Sequence, residues 1–331
     1  MSGDLILGIE SSCDDTAVAV VDRGGEVLAS GVARQDAIHA RWGGVWPELA
    51  SRAHVRAIIP AIDQVMQDAN ASPDRLAAIA VTRGPGLIGS LLVGLNAAAA
   101  LAIAWDVPVI GVNHLRGHLR SADLESARVT FPATILLVSG GHTFVAHMED
   151  RRNVRVLGAT RDDSVGEAYD KVARLMGMGF PGGPLIDRLA TQGRPVIALP
   201  RPMIREGLEF SFSGLKSAVA RTLERSPTTD HADLAASFVD VVIDVLVTKC
   251  RRALNTVPGR SLVVVGGVAA SPQLRRSMGE LAADAGVELC LPPLKWSTDN
   301  GAMIALAGWD YLDAGIRPPP AATPRLPVTE M

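Results

Sequence analysis

Two stretches of this chain, ILGIESSCDDTAVAVV from Ile6 and ILLVSGGHTFVAHM from Ile135, follow one scheme: an apolar run, a short polar turn and a returning apolar run. Each run is too short for a buried helix and is rich in β-branched residues, so each stretch predicts a β-hairpin with a small polar tip. A chain that repeats such an opening points to two related halves, each beginning with a hairpin.

The segments between the hairpins support this. Leu5–Ile9, Ala17–Val21 and Val27–Val32 read as strands, followed by a helical pattern from Glu48 to Ala69 and a buried strand from Ala77 to Thr82. A long apolar helix and a further strand, Val107–Val112, come next. In the second half Thr134–Val138 and Phe144–His147 form the hairpin, and a late apolar run, Leu262–Val268, leads through Gly266-Gly267 into a helix at Pro272. Alternating strands and helices predict an α/β fold with helices on the faces of its sheets.

The apolar helix raises the question of a membrane. Gly86 to Trp105 carries no charge and is nominally long enough to span a bilayer. It is mostly alanine and glycine, contains Ser90 and Asn96, and stands alone, which predicts a helix buried on all sides in a soluble core. The N-terminus has too short an apolar run and too early an acid, Glu10, for a signal peptide. Cys13, Cys250 and Cys290 lie far apart and form no CxxC, which argues against a disulfide framework and a thiolate zinc site and predicts a cytoplasmic protein. A formal charge of −3 leaves no global field for nucleic acid, so an RNA partner has to be held by local patches. Candidate patches are Arg151-Arg152-Arg155, Lys249-Arg251-Arg252 and Arg275-Arg276.

The chemistry concentrates at a few turns. His114 and His118 lie four apart directly behind an apolar strand, so on a helix both imidazoles share one face. Asp299 sits in a polar loop before an apolar helix near Ala302, where it suits either the helix N-cap region or a third ligand. Two histidines and a carboxylate with open positions would suit Fe(II) or Zn(II) acting as a Lewis acid. Acids also gather at Asp14-Asp15 and at Asp162, Asp163, Glu167 and Asp170, where a solvated helix face explains the second group equally well. The glycine turns Ser139-Gly140-Gly141 and Gly266-Gly267 offer backbone N–H groups to an anion or simply make tight turns. Phe180-Pro181-Gly182-Gly183-Pro184 is a rigid turn with Asp187 one helical turn beyond it. Ser211 to Lys216 superficially matches the SxxK of serine acylases but lacks the partner motifs. Arg194–Arg205 reads as a Pro-rich basic linker, and Arg317–Met331 as a tail without regular structure.

Ten blocks, GIESSCDDT, PELASRAHV, TRGPGLIGSLLVGLNAA, NHLRGHL, LLVSGGHT, GEAYDK, PGGP, FSFSGLKSA, GGVAAS and STDNGAMIA, stand in the order seen in the tRNA adenosine threonylcarbamoyltransferases. This chain resembles the bacterial TsaD group of that family, once described as O-sialoglycoprotein endopeptidases. The resemblance implies an actin-like, sugar-kinase/Hsp70 (ASKHA) fold of two ribonuclease-H-like lobes, 1–131 and 132–299, with the nucleotide between them and 300–331 packing back on the first. It implies transfer of threonylcarbamoyl from threonylcarbamoyl-AMP to the exocyclic amine of adenosine 37 in tRNA. The older peptidase label, or an ATP-dependent kinase of the same fold, is the alternative.

The resemblance further implies His114, His118 and Asp299 as ligands of one divalent metal ion, Fe(II) foremost, with Zn(II) or Mg(II) as alternatives. Leu137, Val138, Ser139, Gly140 and Gly141 would line the phosphate and carbamoyl region, and Asp170, Gly183, Asp187 and Ser271 the nucleoside. Asp14, Asp15 and Ser139 would stand nearest the chemistry. A shorter TsaB-like paralogue and a small TsaE-like ATPase would be the protein partners, with no membrane. Two positions depart from the common pattern: Arg116, where many relatives carry Glu between the histidines, and Ser271, where Asn is usual.

Overall fold

The computed structural model describes residues 3–125 and 128–331. It divides into two compact units, Met1–Arg128 with Pro292–Met331, and Val129–Leu291. The chain returns to the first unit at Pro292 rather than at 300, so Asp299 belongs with the two histidines in one unit.

In the first unit β1 (Leu5–Glu10), β2 (Thr16–Asp22) and β3 (Val27–Ala33) form an antiparallel meander. A short helix α1 (Asp36–His39) and the long α2 (Pro47–Asp68) lead to β4 (Leu76–Gly84), then α3 (Ile88–Trp105), β5 (Val109–Asn113) and α4 (His114–Arg120). The sheet order is β3-β2-β1-β4-β5, with β4 parallel to both β1 and β5.

The period of two along β1 decides which face each residue serves. Leu5, Leu7 and Ile9 pack with Ile58, Ile62, Leu91 and Leu95 of α2 and α3. Ile6 packs on the opposite face, against a later helix that contributes Ala302, Ile304 and Ala305. Gly8 lies on that face too, where an added Cβ would stand 2.2 Å from the carbonyl of Gly301. By the same parity Glu10 is directed to this second face.

In the second unit β6 (Ala133–Val138), β7 (Thr143–Met148) and β8 (Val154–Ala159) repeat the meander. Helices α5 (Val165–Leu175), α6 (Gly182–Ala190), α7 (Ser213–Arg225) and α8 (His231–Thr256) precede β9 (Ser261–Val265), α9 (Pro272–Ala285) and β10 (Glu288–Cys290). The order β10-β9-β6-β7-β8, with β9 parallel to β6 and β10, reproduces the topology of the first sheet. One core joins Leu136, Val138, Leu262 and Val264 of this sheet to Phe238, Val242 and Leu246 of α8. The late apolar run therefore ends as a strand at Val265, and Gly267–Ala270 winds into a single 3₁₀ turn.

The first unit closes with α10 (Gly301–Asp313), which covers the second face of its sheet. The tail beyond it carries no helix or strand.

Helix α3 departs from the sequence expectation of burial on all sides. Ser90, Leu91, Gly94, Leu95 and Ala98 are buried, but Ile88 and Leu92 are exposed and Ile103 is 86% exposed. A helix of small residues can pack one face against a sheet and α2 and still present an apolar outer face, because alanine and glycine leave its sides alike in polarity. By length and composition α3 is also the one described helix apolar enough to cross a membrane, and little of it is buried.

Candidate metal centre and glycine turns

Helix α4 starts on Asn113, whose side-chain oxygen accepts the Leu115 N–H at 3.0 Å and so caps the first turn. That start fixes where the following residues point. The rings of His114 and His118 stand 4.7 Å apart at 82°. At the head of α10 the capping task falls to Asn300, which accepts the Met303 N–H at 2.8 Å. Asp299 is thereby left to face the histidines: its Oδ1 is 3.1 Å from His118 Nε2 and 3.7 Å from His114 Nε2. One ligand atom from each of the three residues lies within 4.8 Å of the others.

These donors fit a divalent cation. His118 is fully buried; its Nδ1 has no hydrogen-bond partner, and its Nε2 has only the Asp299 carboxylate beside it, at 3.1 Å without hydrogen-bond geometry. A buried imidazole without a partner is costly unless something else meets its lone pair. His114 Nδ1 is held at 2.8 Å by Glu10 Oε2, which turns Nε2 toward Asp299. Glu10 is itself fully buried and accepts from the Ser12 N–H at 2.5 Å and the Thr82 hydroxyl at 2.6 Å. Burial opposes charge on the His114 ring, but the Glu10 and Asp299 carboxylates outweigh it and raise that ring to about 9. A cation bound there would have to displace this proton, since a ligating imidazole is neutral. A carboxylate behind a ligating histidine fixes its tautomer and raises its basicity, and Glu10 is built for that.

The acidic turn lies beside this cluster. His54, fully buried, is bonded at Nδ1 to the Thr16 hydroxyl at 2.7 Å and at Nε2 to the Cys13 carbonyl at 3.0 Å, which pins the turn carrying Asp14 and Asp15. Ser90 donates to the same carbonyl at 3.0 Å. Burial, with the negative charges of Asp14 and Asp299, pushes Asp15 up to about 7, and burial raises Asp14 as well.

The second unit brings together the other candidates. Leu137 and Val138 are fully buried, Val138 in the helical core, so their side chains belong to packing and they carry the turn that follows. The Ser139 hydroxyl accepts the His142 N–H at 3.1 Å, which ties it into the hairpin tip. Gly140 and Gly141 are open, as is Gly183: an added Cβ would meet nothing within 4 Å at any of the three. Gly166 and Gly266 differ, since a Cβ there would strike Ser139 O at 2.6 Å and Val138 O at 2.4 Å. Asp170 accepts the Gly182 N–H at 2.7 Å and so holds the Pro181-Gly182-Gly183 turn against α5. Asp187 accepts from the Tyr169 hydroxyl at 3.3 Å, and burial raises it against the pull of the Ser271 and Tyr169 hydroxyls. Ser271 also approaches Gln273 Oε1 at 3.3 Å.

The remaining acids are structural. Asp162 accepts from the Ser211 hydroxyl at 2.6 Å, the Ser213 hydroxyl at 2.7 Å and the Phe212 N–H at 2.8 Å, which starts α7 and explains the serine-rich turn. Asp163 pairs with Lys171 at 2.5 Å, and Glu167 completes a capping box with Ser164. The basic pair Lys249 and Arg252 is spent on the carbonyls of Met203 to Gly207, and Arg251 pairs with Asp284 at 3.2 Å.

Sequence reasoning missed Glu10, Thr82 and His54 as parts of the site. The signal for Glu10 was present: a lone carboxylate closing an apolar strand needs a partner inside the fold.

Comparison with known proteins bears on the whole chain. Residues 26–306 match the family model TsaD, tRNA N6-adenosine threonylcarbamoyltransferase. The tRNA N6-adenosine threonylcarbamoyltransferase of Bacillus thuringiensis strain Al Hakam is 50% identical over 319 residues, 95% of this chain and 93% of the relative. That of Geobacillus thermodenitrificans is 52% identical over 309 residues, 92% and 90% of the two chains. Among solved structures, HypF of T. kodakarensis matches with a TM-score of 0.65 at 14% identity, over 94% of this chain and 48% of that one. Component A of the Acidaminococcus fermentans (R)-2-hydroxyglutaryl-CoA dehydratase matches with a TM-score of 0.56 at 18% identity, over 93% and 99%. At such identities the structures show the fold alone, and it is the actin-like, sugar-kinase/Hsp70 fold.

Proposed function

Because this chain belongs to the tRNA N6-adenosine threonylcarbamoyltransferase family, we propose that it makes N6-threonylcarbamoyladenosine at position 37 of tRNAs reading codons that begin with adenine. The observation that carries the chemical reading is the convergence of His114, His118 and Asp299 in front of the buried Glu10. The donor substrate is threonylcarbamoyl-AMP, a mixed anhydride. The adenine exocyclic nitrogen attacks the carbamoyl carbon and a new C–N bond forms. The bond from that carbon to the phosphoryl oxygen breaks, AMP leaves, and the nitrogen gives up a proton.

His114, His118 and Asp299 would hold one divalent ion, Fe(II) foremost, with Zn(II) or Mg(II) as alternatives. When bound, such an ion supplies Lewis-acid polarisation of a carbonyl. Glu10 keeps His114 in the ligating tautomer, and His54 holds the turn of Asp14 and Asp15 in place. Asp15, shifted to about 7, is a carboxylate suited to accept the amine proton near neutral pH. In the second unit the open backbone at Gly140 and Gly141 offers N–H donors to phosphate oxygens. No packing within the unit demands glycine at 140, 141 or 183, which leaves their backbone open to close approach by a ligand. Asp170, Asp187 and Ser271 complete the nucleoside side, with Ser139 at the tip between the strands.

A peptidase is disfavoured, since Leu115, Arg116 and Gly117 between the histidines include no carboxylate to act as general base. The partners we propose are tRNA, a shorter TsaB-like paralogue and a small TsaE-like ATPase, in the cytoplasm and without a membrane. Helices α2 and α3 each present an exposed apolar pair one turn apart, Val55 with Ile59 and Ile88 with Leu92, which suits the paralogue. The test is nucleoside mass spectrometry of tRNA incubated with the protein, its partners and threonylcarbamoyl-AMP, alongside metal analysis. Wild type should form the modified nucleoside, and Asp299→Ala should lose metal and transfer together. Full transfer by a metal-free Asp299→Ala protein sinks the metal reading, and no transfer by any form sinks the assignment of reaction.

A further inference from the structure

The tail beyond α10 has no regular structure, yet it is stitched to the first unit along its length. Gly111 N–H donates to Pro318 O at 3.0 Å, Thr323 N–H to Arg83 O at 2.7 Å, and Gly86 N–H to Pro324 O at 3.2 Å. Leu326 and Val328 are buried. From there the tail meets the ligand-bearing helix. Arg116 Nε donates to Val328 O at 2.7 Å and its Nη2 to Thr329 O at 3.1 Å. Asn113 Nδ2 donates to Pro327 O at 2.8 Å and to Glu330 O at 3.0 Å.

Helix α4 has seven residues, too few to persist without outside support. On one side Gly117 lies so close to α10 that an added Cβ would stand 2.7 Å from Ile304 Cδ1. His114 and His118 lie a turn apart on the face toward Asp299. Arg116, two residues from each, is directed away from that face, and it is 4% exposed. Its planar fork reaches two successive carbonyls, which a lysine cannot do with the same geometry. A carboxylate at this position would set oxygen against oxygen.

We propose that Leu326–Glu330 is a strap that holds α4 and so the spacing of the two histidines, and that Arg116 is the positioning residue that fastens it. This rests on the metal reading above only for its functional consequence. Full-length Arg116→Ala, Arg116→Lys, Val328→Ala and the Arg116→Ala/Val328→Ala double variant test it through two readouts, hydrogen exchange of the α4 amides and Co(II) affinity followed by its visible spectrum. Arg116→Ala should speed α4 exchange and weaken Co(II) binding severalfold, less than loss of a group bonded directly to a ligand. Arg116→Lys should fall between. The double variant should lose less than the product of the single losses, because each frees the same strap. Unchanged α4 exchange in Arg116→Ala, or single effects that multiply without coupling, overturns the strap. If wild type takes no Co(II), the metal reading fails by itself, and α4 exchange still decides the strap. Should Arg116→Ala lose its cooperative unfolding, Arg116→Lys and Val328→Ala carry the same comparison.

Discussion

The two sheets have the same strand order and the same mixture of parallel and antiparallel neighbours, but the tips of their first hairpins are chemical opposites. Between β1 and β2 the turn is Ser11-Ser12-Cys13-Asp14-Asp15, pinned by His54 and set beside Asp299. Between β6 and β7 it is Ser139-Gly140-Gly141-His142, with open space where two side chains would be. One tip gathers carboxylates beside the histidine–aspartate cluster; the other leaves its backbone open. The shared topology thus supplies two mounting points, and a few turn residues decide what each can hold.

The largest effect expected from this contrast is at Glu10. Glu10→Gln preserves volume but removes the charge behind His114, and metal affinity should fall about 10- to 100-fold. AMP binding, measured by calorimetry, should stay as in wild type; a parallel loss of both would break the division of labour. Next come the two kinds of glycine in the second unit. Gly166→Ala drives a Cβ toward the Ser139 carbonyl and should cost about 1–3 kcal/mol of stability in denaturant unfolding. Gly141→Ala meets nothing in the protein, so its unfolding midpoint should match wild type while AMP binding weakens severalfold. An unaffected AMP affinity would show that the open turn is not where the nucleotide approaches.

The smallest effects are in pH dependence, and they have opposite signs. Asp15 is raised to about 7 in the folded protein, against about 3.9 unfolded. The folded state therefore holds an extra proton between those values, and stability of the metal-free protein falls as pH rises through that window. Asp162, which accepts hydroxyl and backbone donors, is held at about 2 although burial opposes its charge. Its contribution is complete above about 4 and is lost as pH falls toward 2. Thermal unfolding against pH should show Asp15→Asn flattening the neutral limb and Asp162→Asn flattening the acid limb. A swap of limbs, or no change in either, would sink the assignment.

Much of this was legible in the chain, for reasons that differ by element. Strands β1, β2, β6, β7 and β9 were readable because they are buried, apolar and flanked by turn residues. β8 was not, since Val154-Arg155-Val156 mixes charge into a part-exposed strand, and the three residues of β10 are too few to show a period. The histidine pair announced itself by spacing, and Asp299 stood open between two readings until Asn300 took the cap. Glu10 was hidden because its partner His114 is 104 residues away, a distance no local pattern reports. The outer face of α3 was misjudged because absence of charge does not distinguish a core from an exposed apolar surface.

At the head of α10, the residue that starts the helix and the residue that faces the histidines are neighbours, Asn300 and Asp299, so the two tasks fall to different side chains. If Asp299 holds the metal as proposed, the start of the helix and the reaction are separable at a single codon: a descendant with a neutral residue at 299 would keep its Asn300 cap and its sheet cover, and would be free to be selected for binding instead.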